Sequence, residues 1–369
     1  MLQQPPVGYF AAGYNAPSAP AFSGGNITYG SLYDAVQAMA AYTTSSAPTA
    51  GGTLTINGVS LGSYDFCVKQ GAQTISAFTA ADWFTATQDT RSAFVVVNGA
   101  LTINSGITVI PTVRKLLLIV YCTGNLTVNG SISMSLRGAN HSGTGNSGGA
   151  TTAGAIRIAT GTFSSITNPT IPAAGGGGGA ARTANGVGAA GSTASFGAGG
   201  GGSGAFLSGI ATSFTSGAGA AGTCFSGGPG GGALAAGSPT ASAGAGVASG
   251  GAGGAPSGYS DGSGVGNPST TPSNGTIDTG TGGTVIVICG AAISGTGSVT
   301  ANGGGASIPW LSPAPYSGCA GGGSGGGSVT VMGKSASGPT LSATGGTATG
   351  GTYSGGQGGA GATNTLIIP

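Results

Sequence analysis

Charge is what this sequence has least of. Only 4% of its 369 residues are charged, against a usual share of about 25%. Glutamate is absent. The acids are Asp34, Asp65, Asp82, Asp89, Asp261 and Asp278, and the bases are Lys69, Arg91, Arg114, Lys115, Arg137, Arg157, Arg182 and Lys334. A long amphipathic helix needs a charged or polar face, so a helical bundle or coiled coil is excluded. Charge-driven disorder is excluded too, because such segments are rich in Glu and Lys. Eight scattered bases do not make the dense patch that phosphate-backbone binding requires, so no nucleic-acid partner is expected. The net charge of +2 carries little further information, although Arg91, Arg114, Lys115, Arg137, Arg157 and Arg182 all fall in a stretch without acids between Asp89 and Asp261.

Other absences narrow the chemistry. Residues 1–21 have neither a basic stretch nor an apolar one, so no secretory signal is expected. The longest strongly apolar run, residues 116–122, is far too short to cross a bilayer, so no membrane insertion is expected. The five cysteines (Cys67, Cys122, Cys224, Cys289, Cys319) contain no CxxC, and Cys122 and Cys289 lie inside apolar runs as small hydrophobes. His141 is the only histidine. The GxSxG match at residues 322–326 is what chance gives in so glycine-rich a stretch, and no acid accompanies it. Residues 332–335 resemble the end of a phosphate loop, but position 328 is Ser where the first glycine belongs. Glycosidase chemistry needs two carboxyls flanking the bond, and beyond residue 89 only Asp261 and Asp278 remain. The expectation is a protein that is not an enzyme and has no metal and no cofactor. Capsule depolymerisation ranks last among its functions.

What the chain does have is 83 glycines, roughly three times the usual share, without the strict three-residue register of collagen. Residues 1–26 are Pro-, Ala- and Ser-rich and read as an extended arm. Residues 27–92 hold the only helix-like signals. Ser31 to Asp34 forms a capping-box start, with Leu32, Ala35, Val36, Met39 and Tyr42 following at helical spacing, and Thr79 to Asp82 repeats that start before Trp83, Phe84 and Ala86. Asn57-Gly58 between them marks a hairpin. This stretch reads as a small α+β attachment module.

Residues 93–172 read as a strand-rich body of short period-2 segments punctuated by Asn-Gly and Gly. A weak repeat of strand, turn, short strand and glycine cluster covers residues 118–139, 284–305 and 328–346, with a fragment at 154–158. Stacked units of this kind bury a ladder of Val, Ile and Leu, as β-solenoids do. Residues 94–136 and 284–332 are therefore expected in one body, completed by residues 267–369. Between the copies, residues 173–266 are dominated by Gly and Ala and broken by single large apolar residues such as Phe196, Leu207 and Phe225. A flexible linker is one reading, and a polyglycine-II lattice is the other and the expected one: such helices have three residues per turn and no internal hydrogen bonds, so they must bond laterally, and only glycine permits that approach. The expected fold is mainly β: solenoid-like stacked strands, a polyglycine-II lattice at 173–266 and the N-terminal module.

Glycine clusters alternating with aromatic-bearing segments resemble the Gly-rich receptor-binding adhesins at the tips of bacteriophage tail fibres, which in T-even-like phages carry a sandwich of polyglycine-II helices with variable distal loops. Residues 199–204, 227–232, 250–254 and 321–327 resemble the family's glycine-rich motifs. Residues 205–214, 223–226, 256–263 and 307–317 sit where its loops would be. The strand-rich stretch from Phe94 to Phe163 is a departure from that pattern. The resemblance implies a virion protein of the tail fibre or tail tip, with an N-terminal region docked on other tail proteins. Its receptor would be a bacterial outer-membrane protein or glycan, and a homotrimer is among the assemblies it allows. The alternative from another class is a purely structural fibre or head-decoration protein. With few charges, recognition falls to stacking and hydrogen bonding. The candidate receptor-binding residues are Trp310, Leu311 and Tyr316 in a proline-stiffened loop, with Phe206, Phe214 and Tyr259 as further candidates. For the loop of Trp310 and Tyr316, and for Phe206 and Phe214, packing in a local core is the competing role, whereas Tyr259, between Gly258 and Asp261, reads as exposed.

Overall fold

A computed structural model of the chain describes residues 22, 25–42, 47–85, 91–138, 154–173, 175–177, 180, 187, 189–190, 192–194, 197–203, 206–207, 222–228, 230, 234–235, 280–305, 322–348 and 355–369. The fold is mainly β, and most of its strands stack as rungs of a three-sided parallel solenoid. Rung one is Val59–Gln70 and Gln73–Ile75. Rung two is Arg91–Asn98, Leu101–Ile103 and Thr108–Val109, and rung three is Leu118–Cys122, Leu126–Val128 and Ser131–Ser133. Rung four is Thr284–Cys289, Ala292–Ser294 and Ser298–Thr300, and rung five is Ser328–Gly333, Ser335–Ala336 and Thr340–Ser342. Rung six is Thr363–Ile367 alone. Each strand pairs in register and in parallel with its equivalents above and below. The two stretches expected in one body meet directly, since Thr284–Cys289 pairs with Leu118–Cys122.

Alternation explains why short strands suffice. Side chains along a strand point to opposite faces, so identical register stacks like on like. In the lumen Val95, Val120, Val287 and Val331 form one ladder. On the third face Val109, Ile132, Val299 and Leu341 form another. The long face is apolar on its other side as well, where Phe66, Phe94, Ile119 and Ile286 align. That side is covered by the helix Leu32–Ala40 through Leu32, Val36 and Met39, and by Ile156, Phe163, Ile171 and Phe225. Burial on both faces accounts for the continuous apolar runs, where a half-exposed sheet would alternate.

The N-terminal signals resolve unevenly. Ser31 caps the helix, accepting from the Asp34 amide. Asn57 and Gly58 both take positive φ in the hairpin between Thr49–Ile56 and Val59–Gln70, as a tight two-residue turn requires. The second start signal yields only a 3-10 turn, Ala80–Asp82, without a side-chain cap from Thr79. Phe84 is instead drawn into the lumen, with Phe78 and Trp83 packed around it, so this segment closes the first end of the solenoid. The boundary placed at residue 92 falls inside a strand, and one eight-stranded sheet runs across it. The repeat fragment at 154–158 is not a rung: Ile156–Arg157 pairs antiparallel with Thr170–Ile171.

Candidate binding end of the glycine lattice

From rung three onward, the corner between the third face and the next long strand is not turned tightly. The chain runs out along one glycine-rich segment and returns along another. Residues 322–327 lie at the centre of the resulting lattice. The amides of residues 323 and 326 donate to Gly356 and Gly359, those of 324 and 327 to Gly304 and Ala301, and that of 325 to Gly228, at 2.6–3.0 Å. Their carbonyls accept in the same rhythm: those of 323 and 326 from Gly202 and Gly199, that of 324 from Gly346, and that of 325 from Gly282. Every third residue faces the same neighbour, and six segments surround one. Three residues per turn with only lateral bonds is the polyglycine-II arrangement. It repeats one row out, where the amides of 356, 359 and 362 donate to Ser203, Gly200 and Gly197.

Such contact leaves no room for a side chain at most of the lattice glycines. A Cβ on Gly326 would overlap the carbonyl oxygen of Ala343, and one on Gly202 that of Gly356. The lattice is also wider than expected. Residues 175–177, 189–190, 192–194, 197–203, 227–228 and 230 belong to it, but so do 280–283, 301–305, 322–327, 343–346 and 356–362, beyond the limit at 266. Most of the rest of 173–266 lies outside the described residues.

The register of these bonds orders the lattice end to end. Residues 283, 301, 327, 343 and 362 adjoin rung strands and form its root. Residues 203, 230, 305, 322 and 356 share the opposite level, which for residues 322–327, five rises of about 3.1 Å, stands roughly 16 Å from the root. Segments 306–321 and 349–354 therefore both leave and rejoin the lattice at its outer end, while 231–279 leaves there, past Gly230, and rejoins at Gly280, three residues above the root. Segment 204–221 leaves there and rejoins at the root, at Gly222. Just past the outer end, Phe206–Leu207 pairs in parallel with Leu234–Ala235, which ties two of these segments together at their bases.

All the candidate receptor-binding residues belong to these segments. Trp310, Leu311, Tyr316, Phe214 and Tyr259 lie outside the described residues, and of Phe206 only the backbone is described. What is described is their anchorage: one end of one uncharged scaffold, fed by separate stretches of sequence.

Sequence reasoning missed a charged cluster. Asp65 is buried in rung one, where its carboxylate accepts from Arg91 Nε at 2.5 Å, from Lys115 Nζ at 3.0 Å and from the Thr85 hydroxyl. Arg91 also donates to the Tyr64 carbonyl at 2.6 Å. Burial pulls the Lys115 ammonium below its usual range, and its bond to Asp65 opposes that shift. Asp65 stands inside the apolar run of residues 64–68, and an acid there was the signal to read. The cluster ties rungs one, two and three at the corner that glycine closes in later rungs. The stretch of bases is accordingly not a basic face among the described residues. Arg91 and Lys115 serve Asp65, Arg114 is buried, and Arg137 donates to the Pro111 carbonyl. Arg182 lies outside the described residues, as do His141, Asp261, Asp278 and Cys319. Among the described residues no group of His, Cys, Asp or Glu could hold a metal ion, and no helix is long and apolar enough to cross a membrane. Comparison with protein-family models, with curated proteins and with solved structures gives no match.

Proposed function

We propose that the protein is a virion-borne adhesin of the phage tail-fibre or tail-tip type, and that it attaches to a bacterial surface receptor through the segments at the outer end of its glycine lattice. One observation carries the reading: the hydrogen-bond register gathers segments 306–321 and 349–354, and the starts of 204–221 and 231–279, at the end remote from the solenoid. A rigid scaffold presenting several loops at one end is how binding surfaces are built, because the scaffold fixes the loops while their sequences vary. The lattice is uncharged, so recognition rests on aromatic stacking and hydrogen bonding, with Trp310, Leu311 and Tyr316 at its centre and Phe206, Phe214 and Tyr259 around them. Residues 1–26 dock on the remainder of the tail. Phe22 at their end is buried against Phe66, and its carbonyl accepts from the Tyr64 hydroxyl at 2.8 Å.

The test is binding of the fluorescently labelled full chain to a panel of bacterial strains, read by flow cytometry. The expected result is saturable binding to a subset of strains. Trp310→Ala with Tyr316→Ala abolishes it at unchanged melting temperature, and it varies less than about twofold between low and moderate salt. Binding to no strain favours a structural virion protein instead, and binding unaffected when 306–321 is replaced by a short Gly-Ser turn removes that segment from the receptor site.

A further inference from the structure

The solenoid has one joint at which contact between rungs is bought with a very long detour of the chain: rung three ends at Ser133 and rung four begins at Thr284. Two cysteines face each other across it. Cys122 and Cys289 are in-register partners on neighbouring parallel strands, and both are fully buried in the lumen. Neighbouring strands lie about 4.8 Å apart, inside the Cα separation of about 4.4–6.8 Å that a disulfide spans. The sulfurs converge on one acceptor. Cys289 Sγ donates to the carbonyl of Gly124 at 2.9 Å, 165 positions away along the chain, and Cys122 Sγ lies 3.4 Å from the same oxygen. The other described cysteines lack this arrangement. Cys67 is in register with Val95, and Cys224 lies in the separate core on the outer side of the long face.

We propose that Cys122 and Cys289 are a cross-link site, forming a disulfide between rungs three and four when the protein meets a peroxide-class oxidant. The inference does not depend on the adhesin reading. The Cys289 thiolate attacks one peroxide oxygen, the O–O bond breaks, and a sulfenic acid forms while the other oxygen leaves as water. The Cys122 sulfur then attacks the sulfenic sulfur, the S–O bond breaks, and a second water leaves. Two thiols are oxidised to one disulfide, and one hydrogen peroxide is reduced to two waters. The order of attack follows the pairing of the two thiols: the neighbouring Cys122 pulls Cys289 down, whereas the same pairing and burial push Cys122 up. A small oxidant is required because the site is closed to bulky disulfides. The bond would close the loop that contains the whole glycine-rich insertion up to rung four, where cross-linking restricts the unfolded chain most.

The experiment treats the purified full chain with hydrogen peroxide in the native state, then denatures it, blocks free thiols with N-ethylmaleimide and maps peptides without reduction. The expected result is loss of two of the five thiols and recovery of a Cys122–Cys289 linked peptide pair. The melting temperature rises by roughly 5 °C or more and returns to its starting value on reduction with dithiothreitol. Cys122→Ser and Cys289→Ala each abolish the shift. If either variant fails to fold, the peptide map of the unaltered chain decides alone. Five unreacted thiols, a link through any other cysteine, or a sulfinic acid at Cys289 in place of the pair overturns the proposal.

Discussion

The solenoid wall and the glycine lattice solve the same problem by opposite means. In the wall the backbone pairs within flat faces and the lumen is filled by stacked Val, Ile and Leu, so side chains exclude the water. In the lattice there are almost no side chains. Each backbone segment replaces water for its neighbours: along the central segment the amides of residues 323–327 and the carbonyls of 323–326 all find partners. The corner at the start of the long face shows both solutions in one place. Rungs one to three close it with a buried carboxylate and two cations, and rungs four to six close it with glycine. Apolar burial is graded and tolerates a missing methyl group. A lattice with backbone against backbone has no such tolerance, because a carbonyl oxygen cannot rotate away as a side chain can.

The largest expected effect tests that contrast. Gly326→Ala places a methyl group on the Ala343 carbonyl, and it should cost more than about 3 kcal/mol, the upper range for overpacking, or prevent folding. Gly177→Ala is the control, since its Cβ would meet nothing nearer than Ser192 Oγ at 4.0 Å. Urea denaturation should leave that variant within about 0.5 kcal/mol of the parent. Equal effects at the two positions would mean that close approach is not what requires glycine.

In the wall, Leu126→Ala removes a buried lumen side chain from a ladder with Leu101 and Ile293. It should cost about 3 kcal/mol while the protein still folds. Comparable in size is Lys115→Met, which leaves Arg91 as the one cation on Asp65 among the described residues and should cost about 3 kcal/mol near neutral pH. Its pH signature separates it from packing. Lys115 has a folded pKa below its unfolded one, so the unfolded chain binds more protons between the two values. Stability of the parent should therefore rise with pH in the window just below 10.5, and that rise should vanish in the variant. Smallest is Ser203→Ala, which removes the hydroxyl that accepts from the Ala189 amide at 2.7 Å. About 1 kcal/mol is expected, with faster hydrogen exchange confined to the Ala189 amide.

Much of the wall was legible beforehand because its physics is local. Alternation along 118–122 and 284–289, turn residues such as Asn57-Gly58, and the Ser31 cap each act within a few residues. The rung repeat then follows from stacking like on like. The second helix start was misread because Thr79 to Asp82 has the right letters, but Phe84 gains more by entering the lumen than a short helix gains by continuing. The ion cluster was missed because Asp65, Thr85, Arg91 and Lys115 lie in four separate stretches that only the stacking of rungs brings together. The candidate aromatic residues were legible as interruptions of glycine, and their common anchorage was not, since it depends on which amide bonds to which carbonyl.

By itself, then, the sequence determined the class of solution. So little charge forbids helices with solvated faces, period-2 runs demand strands buried on one or both sides, and glycine in such excess has a physical use only where backbones touch. It could not determine which glycine lies beside which. A run of glycines carries no side-chain pattern to set its register, so residues 197–203, 322–327 and 356–362 become neighbours only because the rungs to which they are joined are already stacked. The tertiary structure decided that register, and with it which end of the lattice faces away from the solenoid.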